Sequence, residues 1–177
     1  MAIYVLIPNV GGDVTVPGYE KCFAASSFSF GVEREMKESG EKGGTEDINI
    51  GVGELQVCTV SKSMDSTSSQ LAQFAINGNS LGTAEIFFVE IGRGDRTEGK
   101  PICYLQYKLD RCFVKKWSTS SDADDRPTEE VAFYYNKIAF IHVVTTDGKN
   151  FKPGLPMSWD NVRNKPWDAH GIVLKGG

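Results

Sequence analysis

The sequence has few of the residues that metal-binding, catalytic and membrane proteins depend on. It contains two His and four Cys in 177 residues, with no CxxC pair and no ligand spacing around either His. We therefore expect no metal and no cofactor, and we interpret His142 and His170 as structural residues. No apolar run approaches the ~20 residues that a membrane helix needs, so membrane insertion is not predicted.

Clustered positive charge is also missing. The formal net charge is -4 and the sequence pI is about 5.2, and Lys115-Lys116 is the one adjacent basic pair. A protein that neutralises phosphates would carry a basic stripe, so the charge pattern argues against nucleic-acid binding. The N-terminus has no positive n-region, and we expect no signal peptide.

The cysteines stand singly in apolar segments, which predicts reduced thiols buried in a core, as in a cytoplasmic protein. They are Cys22, Cys58, Cys103 and Cys112.

What the sequence does contain is short apolar alternations separated by turns. Nineteen Gly and seven Pro, with one convincing helical stretch, predict a single β-rich domain with one helix. The predicted strands are Ala2 to Ile7, Cys22 to Val32, Ile48 to Gly53, Leu55 to Ser61, Ala84 to Gly92, Ile102 to Trp117 and Glu130 to Val144, of which the sixth is expected to be bent or split.

The last of these strands is too long to be flat. Fifteen residues from Glu130 to Val144 would span about 50 Å at ~3.3 Å per residue. The apolar phase shifts from odd positions to even ones near Asn136-Lys137, as a bulge would require. The odd set is Val131, Phe133 and Tyr135, and the even set is Ile138, Phe140 and His142.

The predicted helix is Ser66 to Asn77. Thr67 and Gln70 have capping-box spacing, and Asn77-Gly78 supplies a left-handed stop. Its apolar face, formed by Leu71, Phe74 and Ala75, should pack on a sheet.

Two irregular segments complete the chain. Glu35 to Thr45 is charged and Gly-rich, so we expect a long projecting loop that meets a partner. The tail from Thr146 contains Trp159 and Trp167 among prolines, and we expect packing to hold it in place.

Short catalytic and binding patterns have simpler explanations. Ser39-Gly40-Glu41-Lys42 matches S-x-x-K but lacks the partner motifs of the acyl enzymes that use it. The acidic cluster at 122–125 lacks the Gly and Glu of a calcium-binding EF-hand loop. Arg93-Gly94-Asp95 fits a charged hairpin. No acid/base or nucleophile/base pair stands out, so no enzyme activity is predicted.

The segment ASSFSFGVERE has two chemically different faces. Phe28, Phe30 and Val32 alternate with small or polar residues. We expect the aromatic set to face a core. Ser27 and Ser29 then lie on an exposed face of small hydroxyls, which suits either a smooth wall against a loosely held partner or an ordinary solvent surface.

Five segments in order resemble the haemolysin-coregulated protein (Hcp) family, the tube protein of bacterial type VI secretion systems. They are Phe28-Ser29-Phe30-Gly31, the Gly-rich loop after it, DSTSSQLAQFAING at 65–78, DRPTEEVAFYYNKI at 125–138 and WDNVRNKPW at 159–167. The resemblance runs from near residue 1 to about 167 as one domain, and residues 168–177 form a tail without a match.

The resemblance implies a mainly β fold: a β-barrel of two packed antiparallel sheets, flanked by one short helix, with a long protruding loop. It implies hexameric rings that stack into a tube, carry effectors in the lumen and contact sheath and spike proteins. It also implies export from the bacterial cytoplasm to the medium or a target cell, and no catalysis.

The resemblance also assigns site residues. Ser29, and Ser27 beside it, become lumen-facing candidates. The loop, with Glu38, Gly40, Glu41, Lys42, Gly43 and Gly44, becomes the ring-stacking candidate, although its charge departs from the family. A phage-type tail-tube protein of similar fold remains the alternative function.

Overall fold

The computed structural model describes residues 1–38, 48–91, 99–145 and 151–174. These residues form twelve strands and one helix. The strands are β1 Ala2–Leu6, β2 Phe23–Ala25, β3 Ser27–Ser29, β4 Val32–Glu38, β5 Ile48–Leu55, β6 Cys58–Ser63, β7 Gly82–Ile91, β8 Pro101–Ser120, β9 Thr128–Tyr134, β10 Lys137–Thr145, β11 Phe151–Pro153 and β12 Met157–Asp160; the helix α1 is Ser68–Asn77.

Ten of the described strands form one antiparallel sheet with the main path β2-β1-β7-β8-β9-β6-β3. Its two ends, β2 and β3, are consecutive in the chain, and between them the Ser26 N–H donates to the Ser61 carbonyl (2.7 Å). Strand pairing leaves the path open there, and the chain itself joins the two ends. Strands β4 and β5 form a separate two-stranded ribbon. The predicted fold class, mainly β with a flanking helix, is confirmed.

The longest strand is β8 rather than the predicted segment at 130–144. It has 20 residues and pairs with β10 through its first half and with β9 through its second. Between these halves, Arg111 has a positive φ of 51°. The strand therefore changes direction at Arg111 but remains one strand. We expected this segment to be bent or split, and it is bent.

Residues 130–144 belong to two strands, so their interpretation as one bent strand was wrong. Strand β9 ends at Tyr134 and β10 begins at Lys137, so the break does lie beside the predicted position at Asn136. The break is more than a bulge because the two strands pair with different halves of β8.

The predicted phase shift is seen at Ile138, which is buried, but Phe140 is only half-buried. Val131, Phe133 and Tyr135 are buried before the break. After it, Ile138 continues into the same core, whereas Ala139 and Ile141 pack against Ile172 of the tail. His142 is exposed, so its position in the even set does not bring it into the core.

Helix α1 begins at Ser68, two residues later than predicted, with Thr67 as its N-cap. The predicted capping box is absent, because the Thr67 hydroxyl donates to Asp65 Oδ1 (2.6 Å) instead of capping the helix. The C-terminus is as predicted: Gly78 has φ +68° and its N–H donates to the Phe74 carbonyl. A side chain would be strained at that φ, which explains the glycine.

The apolar face of α1 packs on the main core as expected. Leu71 is fully buried, and Phe74 and Ala75 pack around it. Burying a leucine side chain contributes about 1.5–3 kcal/mol, so this contact fixes the helix on the sheet.

Segments outside the sheet cover two areas of its outer surface. Tyr19 and Cys22, before β2, pack against Phe87 and Cys103. The tail residues Trp167 and Ile172 cover β10, and Trp159 packs on the main core. The expectation that packing holds the tail in place is confirmed. All four cysteines are buried and are thiols rather than disulfides, as predicted.

Two further observations complete the fold. Val32 was expected in the core but is 57% exposed, because the chain leaves the sheet there to form the β4–β5 ribbon. Within the described ranges, no helix has both the length and the apolar character to span a membrane.

Candidate functional site: a hydroxyl face and a buried ion cluster

Ser27 and Ser29 lie on an exposed face of the sheet. In β3 they alternate with Phe28, whose ring packs against the main core. Their partners across the ladder are Ser61 and Thr59 of β6. Residues that pair directly share a face of the sheet, so the two predicted serines belong to a larger surface.

The register extends this surface across β9 and β8. Ser61 pairs with Glu130, which pairs with Ser118; Thr59 pairs with Ala132, which pairs with Lys116. At the end of these strands, a further row pairs Thr128 with Ser63 on one side and with Ser120 on the other. We call the whole surface the hydroxyl face; its members are Ser27, Ser29, Thr59, Ser61, Ser63, Lys116, Ser118, Ser120, Thr128, Glu130 and Ala132.

The chemistry of the hydroxyl face is polar and nearly neutral. Lys116 Nζ lies 3.3 Å from Glu130 Oε1, and both side chains are largely exposed, so the pair contributes at most about 1 kcal/mol. Hydroxyls both donate and accept hydrogen bonds. The face can therefore form many weak contacts with varied polar surfaces.

Behind the hydroxyl face lies a cluster of charges that the sequence reasoning missed. The side chains of Lys62 and Glu129 are 0% exposed, and Lys62 Nζ lies 2.6 Å from Glu129 Oε1. Asp65 Oδ1 lies 2.7 Å from the same ammonium. We call Lys62, Asp65 and Glu129 the buried ion cluster.

Neighbouring groups satisfy the hydrogen-bonding capacity of the buried ion cluster. The Trp117 indole N–H donates to Glu129 Oε2 (2.9 Å) and the Ser68 hydroxyl to Glu129 Oε1 (3.0 Å). The Lys62 ammonium also lies 5.4 Å from the centre of the Phe23 ring. Because Ser68 begins α1, the cluster joins the helix to β6 and β9.

The pKa of Asp65 reflects its place in the cluster. Burial raises the pKa of this carboxyl, but hydrogen bonds from Lys62 and Thr67 outweigh burial and lower it overall. This contribution to stability is complete above the unfolded pKa of about 3.9 and is lost as pH falls through the lower folded value.

A sequence signal for the cluster did exist. Lys62 continues the buried phase of Cys58 and Val60, and Glu129 precedes the buried phase of Val131 and Phe133. Charged residues are rarely buried unless they are paired, so one charge of each sign on the buried faces of two strands predicts a buried ion pair.

The other sequence candidates do not come together. His142 is exposed on β10, with its ring 6.4 Å from that of Tyr104. His170 Nδ1 accepts from the Ile172 N–H (3.1 Å). The acidic residues at 122–125 lie in an exposed turn. Within the described part of the chain, no group of three His, Cys, Asp or Glu residues could hold a metal.

The family model for the type VI secretion system effector Hcp matches residues 4–142, which is most of the chain. The chain belongs to the Hcp family. No curated protein sequence matches it significantly.

Solved structures agree with this Hcp assignment. A type six secretion system protein is 26% identical, with a TM-score of 0.78 over 93% of this chain and 98% of that chain. Hcp1 from Salmonella typhimurium is 14% identical, with a TM-score of 0.70 over 94% and 99%. A type VI secretion system effector from Yersinia pestis is 13% identical, with a TM-score of 0.67 over 89% and 98%. The last two show the fold alone.

Several predicted residues of this Hcp protein lie outside the described ranges. Glu38 ends β4, but the remaining stacking-loop candidates are beyond the described residues, as are Ser39 and the Arg93-Gly94-Asp95 tripeptide. The stacking-loop candidates concerned are Gly40, Glu41, Lys42, Gly43 and Gly44.

Proposed function

We propose that this protein is a non-catalytic subunit of the inner tube of a type VI secretion system. Its copies form hexameric rings, the rings stack, and the resulting tube carries effectors. The family match over residues 4–142 is the observation that carries this proposal. The 26% identical secretion protein, matched over 93% of the chain, supports it.

The hydroxyl face supplies a lumen wall in this proposal. Packed segments cover the outer surfaces near Tyr19 and Ile172, whereas Ser27 and Ser29 are exposed. Individual hydroxyl contacts are weak because each replaces a contact with water. Such a wall holds cargo reversibly, as a carrier that releases effectors requires.

Ring formation would also protect strand edges. The β4–β5 ribbon has two strands and pairs with no other described strand, and a two-stranded ribbon alone is marginally stable in water. Copies repeated by rotation in a closed ring would cover such edges. The assembled tube would contact sheath and spike proteins and carry its subunits out of the bacterial cytoplasm.

Mass photometry and negative-stain microscopy of the purified protein test the proposal. We expect a hexamer mass and rings with a central hole. A stable monomer at tens of micromolar, with no rings on the grid, would overturn the assembly claim.

The lumen assignment predicts that Ser29→Gln preserves hexamers but lowers effector retention, because the longer side chain obstructs the wall. Retention is measured by co-purification of a cargo that binds the wild-type ring. Ser66→Gln, at an exposed position outside the hydroxyl face, is the matched control. Unchanged retention by Ser29→Gln rings would count against the assignment.

A further inference from the structure

One face of the β4–β5 ribbon combines apolar side chains with a single cation. Val32 pairs with Leu55, and Arg34 pairs with Gly53. Side chains two residues apart in a strand lie on the same face, and paired residues share that face. This face of the ribbon therefore presents two aliphatic side chains and one guanidinium.

The same face lines a cavity of about 450 Å³. The rest of the lining comes from β12 and the turn after it, with Met157, Ser158, Trp159 and Asn164. Leu55, Met157 and Trp159 are half-buried, and each packs on the main core and also lines the cavity. Sites for small molecules have volumes of ~300–1,000 Å³ and mostly apolar walls with a few polar groups. The cavity has both properties.

Arg34 supplies the positive charge of the cavity lining. Its side chain lies against Gly53, where an added Cβ would be 3.4 Å from Arg34 Nη2. A β-bulge follows between Arg34 and Met36, and bulges often redirect side chains beside binding sites. Among the residues that the structure describes, no carboxylate forms an ion pair with Arg34. The guanidinium is therefore free to bind an anion.

The acidic groups near the cavity do not neutralise this charge. Glu33 and Glu54 pair with each other on the opposite face of the ribbon. Asp160 is buried at the end of β12 and accepts hydrogen bonds from two backbone N–H groups of the following turn (both 3.0 Å). That turn also contains Arg163 and Lys165. The local charge therefore favours a negatively charged ligand.

We propose that this cavity binds a small carboxylate with an apolar body, such as a medium-chain fatty acid. The carboxylate lies on the Arg34 guanidinium, whose planar donors can form two parallel hydrogen bonds to its oxygens. The apolar body lies against Leu55, Met157 and Trp159, where it is removed from water. The site lies within one subunit, so it goes beyond the proposed tube function and does not depend on ring assembly.

Fluorescence quenching locates the ligand. The probe is ω-bromoundecanoate, whose bromine quenches a tryptophan that it contacts. The full-length protein contains three Trp, and Trp159 lines the cavity. We expect saturable quenching of the wild type, loss of that quenching in Trp159→Phe, and its retention in Trp167→Phe, the matched control in the tail. Absence of saturable quenching in the wild type, or quenching that persists in Trp159→Phe, would overturn the proposal.

Removing the guanidinium tests the charge requirement. Arg34→Gln should raise the dissociation constant for ω-bromoundecanoate at least about ten-fold, because hydrogen bonds between ions are stronger than those to a neutral amide. The uncharged ω-bromoundecanol should bind the wild type and Arg34→Gln alike. Lys116→Gln, which removes an exposed cation of the hydroxyl face, is the control and should bind the acid like the wild type. Equal affinity of Arg34→Gln and the wild type for the acid would contradict the proposal.

An added negative charge gives a further measurement. Val32 lines the cavity and is 57% exposed, so Val32→Glu should keep the wild-type circular dichroism. It should nevertheless weaken binding of the acid, because the two carboxylates repel each other. Val173→Glu, at a 77% exposed site in the tail, should bind the acid normally. Normal binding by Val32→Glu would exclude this cavity as the site.

The outcomes distinguish this site from the proposed function. If the wild type forms rings but binds no ω-bromoundecanoate, the site is overturned and the tube function stands. If the wild type binds the acid in the cavity but forms no rings, the tube function fails and the site stands.

Discussion

Lys62 shows at the scale of one residue how a charge is retained in this core. Its ammonium lies between Glu129 and Asp65, within 2.6–2.7 Å of both. Bringing these groups out of water costs free energy, which their mutual attraction and hydrogen bonds offset. The buried ion cluster therefore connects α1 to β6 and β9 through Ser68 and Glu129.

We predict that Lys62→Met lowers the free energy of unfolding by about 3–5 kcal/mol, because it leaves Glu129 buried without its countercharge. The double variant Lys62→Met/Glu129→Leu should lose less than Lys62→Met alone. Urea denaturation measures both. Lys116→Met, which breaks an exposed pair, is the control and should change stability by no more than about 1 kcal/mol. Equal losses for Lys62→Met and Lys116→Met would contradict the prediction.

The thiols provide a second prediction at this scale. Burial raises the pKa of Cys58 to about 12, although a hydrogen bond with Tyr135 opposes this. Because the thiolate is the reactive form, a thiol reagent at pH 8 should label none of the four buried cysteines in the native protein and all four in urea.

The raised pKa of Cys58 also affects the stability of the protein at high pH. The folded pKa of Cys58 exceeds the unfolded value of about 8.5. Its contribution to stability is complete below that unfolded value and is lost as pH rises toward the folded one. Cys58→Ala should therefore show a shallower loss of stability between pH 8.5 and 10.5.

The labelling experiment at pH 8 has a contrary outcome. Rapid labelling of the thiols in the native protein would show that the core opens more easily than the structure indicates.

At the scale of elements, β8 organises the sheet. It pairs with β7 along much of its length, with β10 before Arg111 and with β9 after it. The break between β9 and β10 follows from this division. The β4–β5 ribbon pairs with no other described strand, and Leu55 at the end of β5 packs on the main core.

The β4–β5 ribbon leads to a prediction for the loop between its two strands. Shortening Glu38 to Gly44 should leave rings intact but prevent tubes, as judged by negative-stain microscopy. Replacing the same residues with an equal length of Gly and Ser separates loss of length from loss of chemistry. Long tubes formed by the shortened protein would exclude the loop as the stacking element.

At the scale of the whole molecule, segments outside the sheet cover part of its outer surface. Ile172 is 6% exposed and packs with Ala139 and Ile141. The Lys108 ammonium donates to the His170 carbonyl (2.9 Å), and the Lys137 ammonium lies 5.3 Å from the centre of the Trp167 ring. The tail is therefore part of the folded subunit.

We predict that Ile172→Ala lowers the free energy of unfolding by about 2 kcal/mol, the lower end of the range for truncating a buried isoleucine. Limited proteolysis should also cut the tail of this variant sooner. The neighbouring exposed Val173→Ala should change stability by less than about 0.5 kcal/mol. Similar effects of the two substitutions would mean that the tail does not pack as described.

The sequence by itself determined the local features and the family. Alternation predicted the strands around Val131 and Phe28, Gly78 predicted the end of α1, and five segments in order indicated Hcp. These features are readable because neighbouring residues alone set the period of a strand or the left-handed end of a helix.

The tertiary structure decided the features that neighbouring residues in the sequence cannot determine. The pairing of Lys62 with Glu129, the division of residues 130–144 between the halves of β8, and the joining of Ser27 and Ser29 to a wider hydroxyl face all depend on register between distant strands. Register follows from the packing of the whole core, so no single segment encodes it.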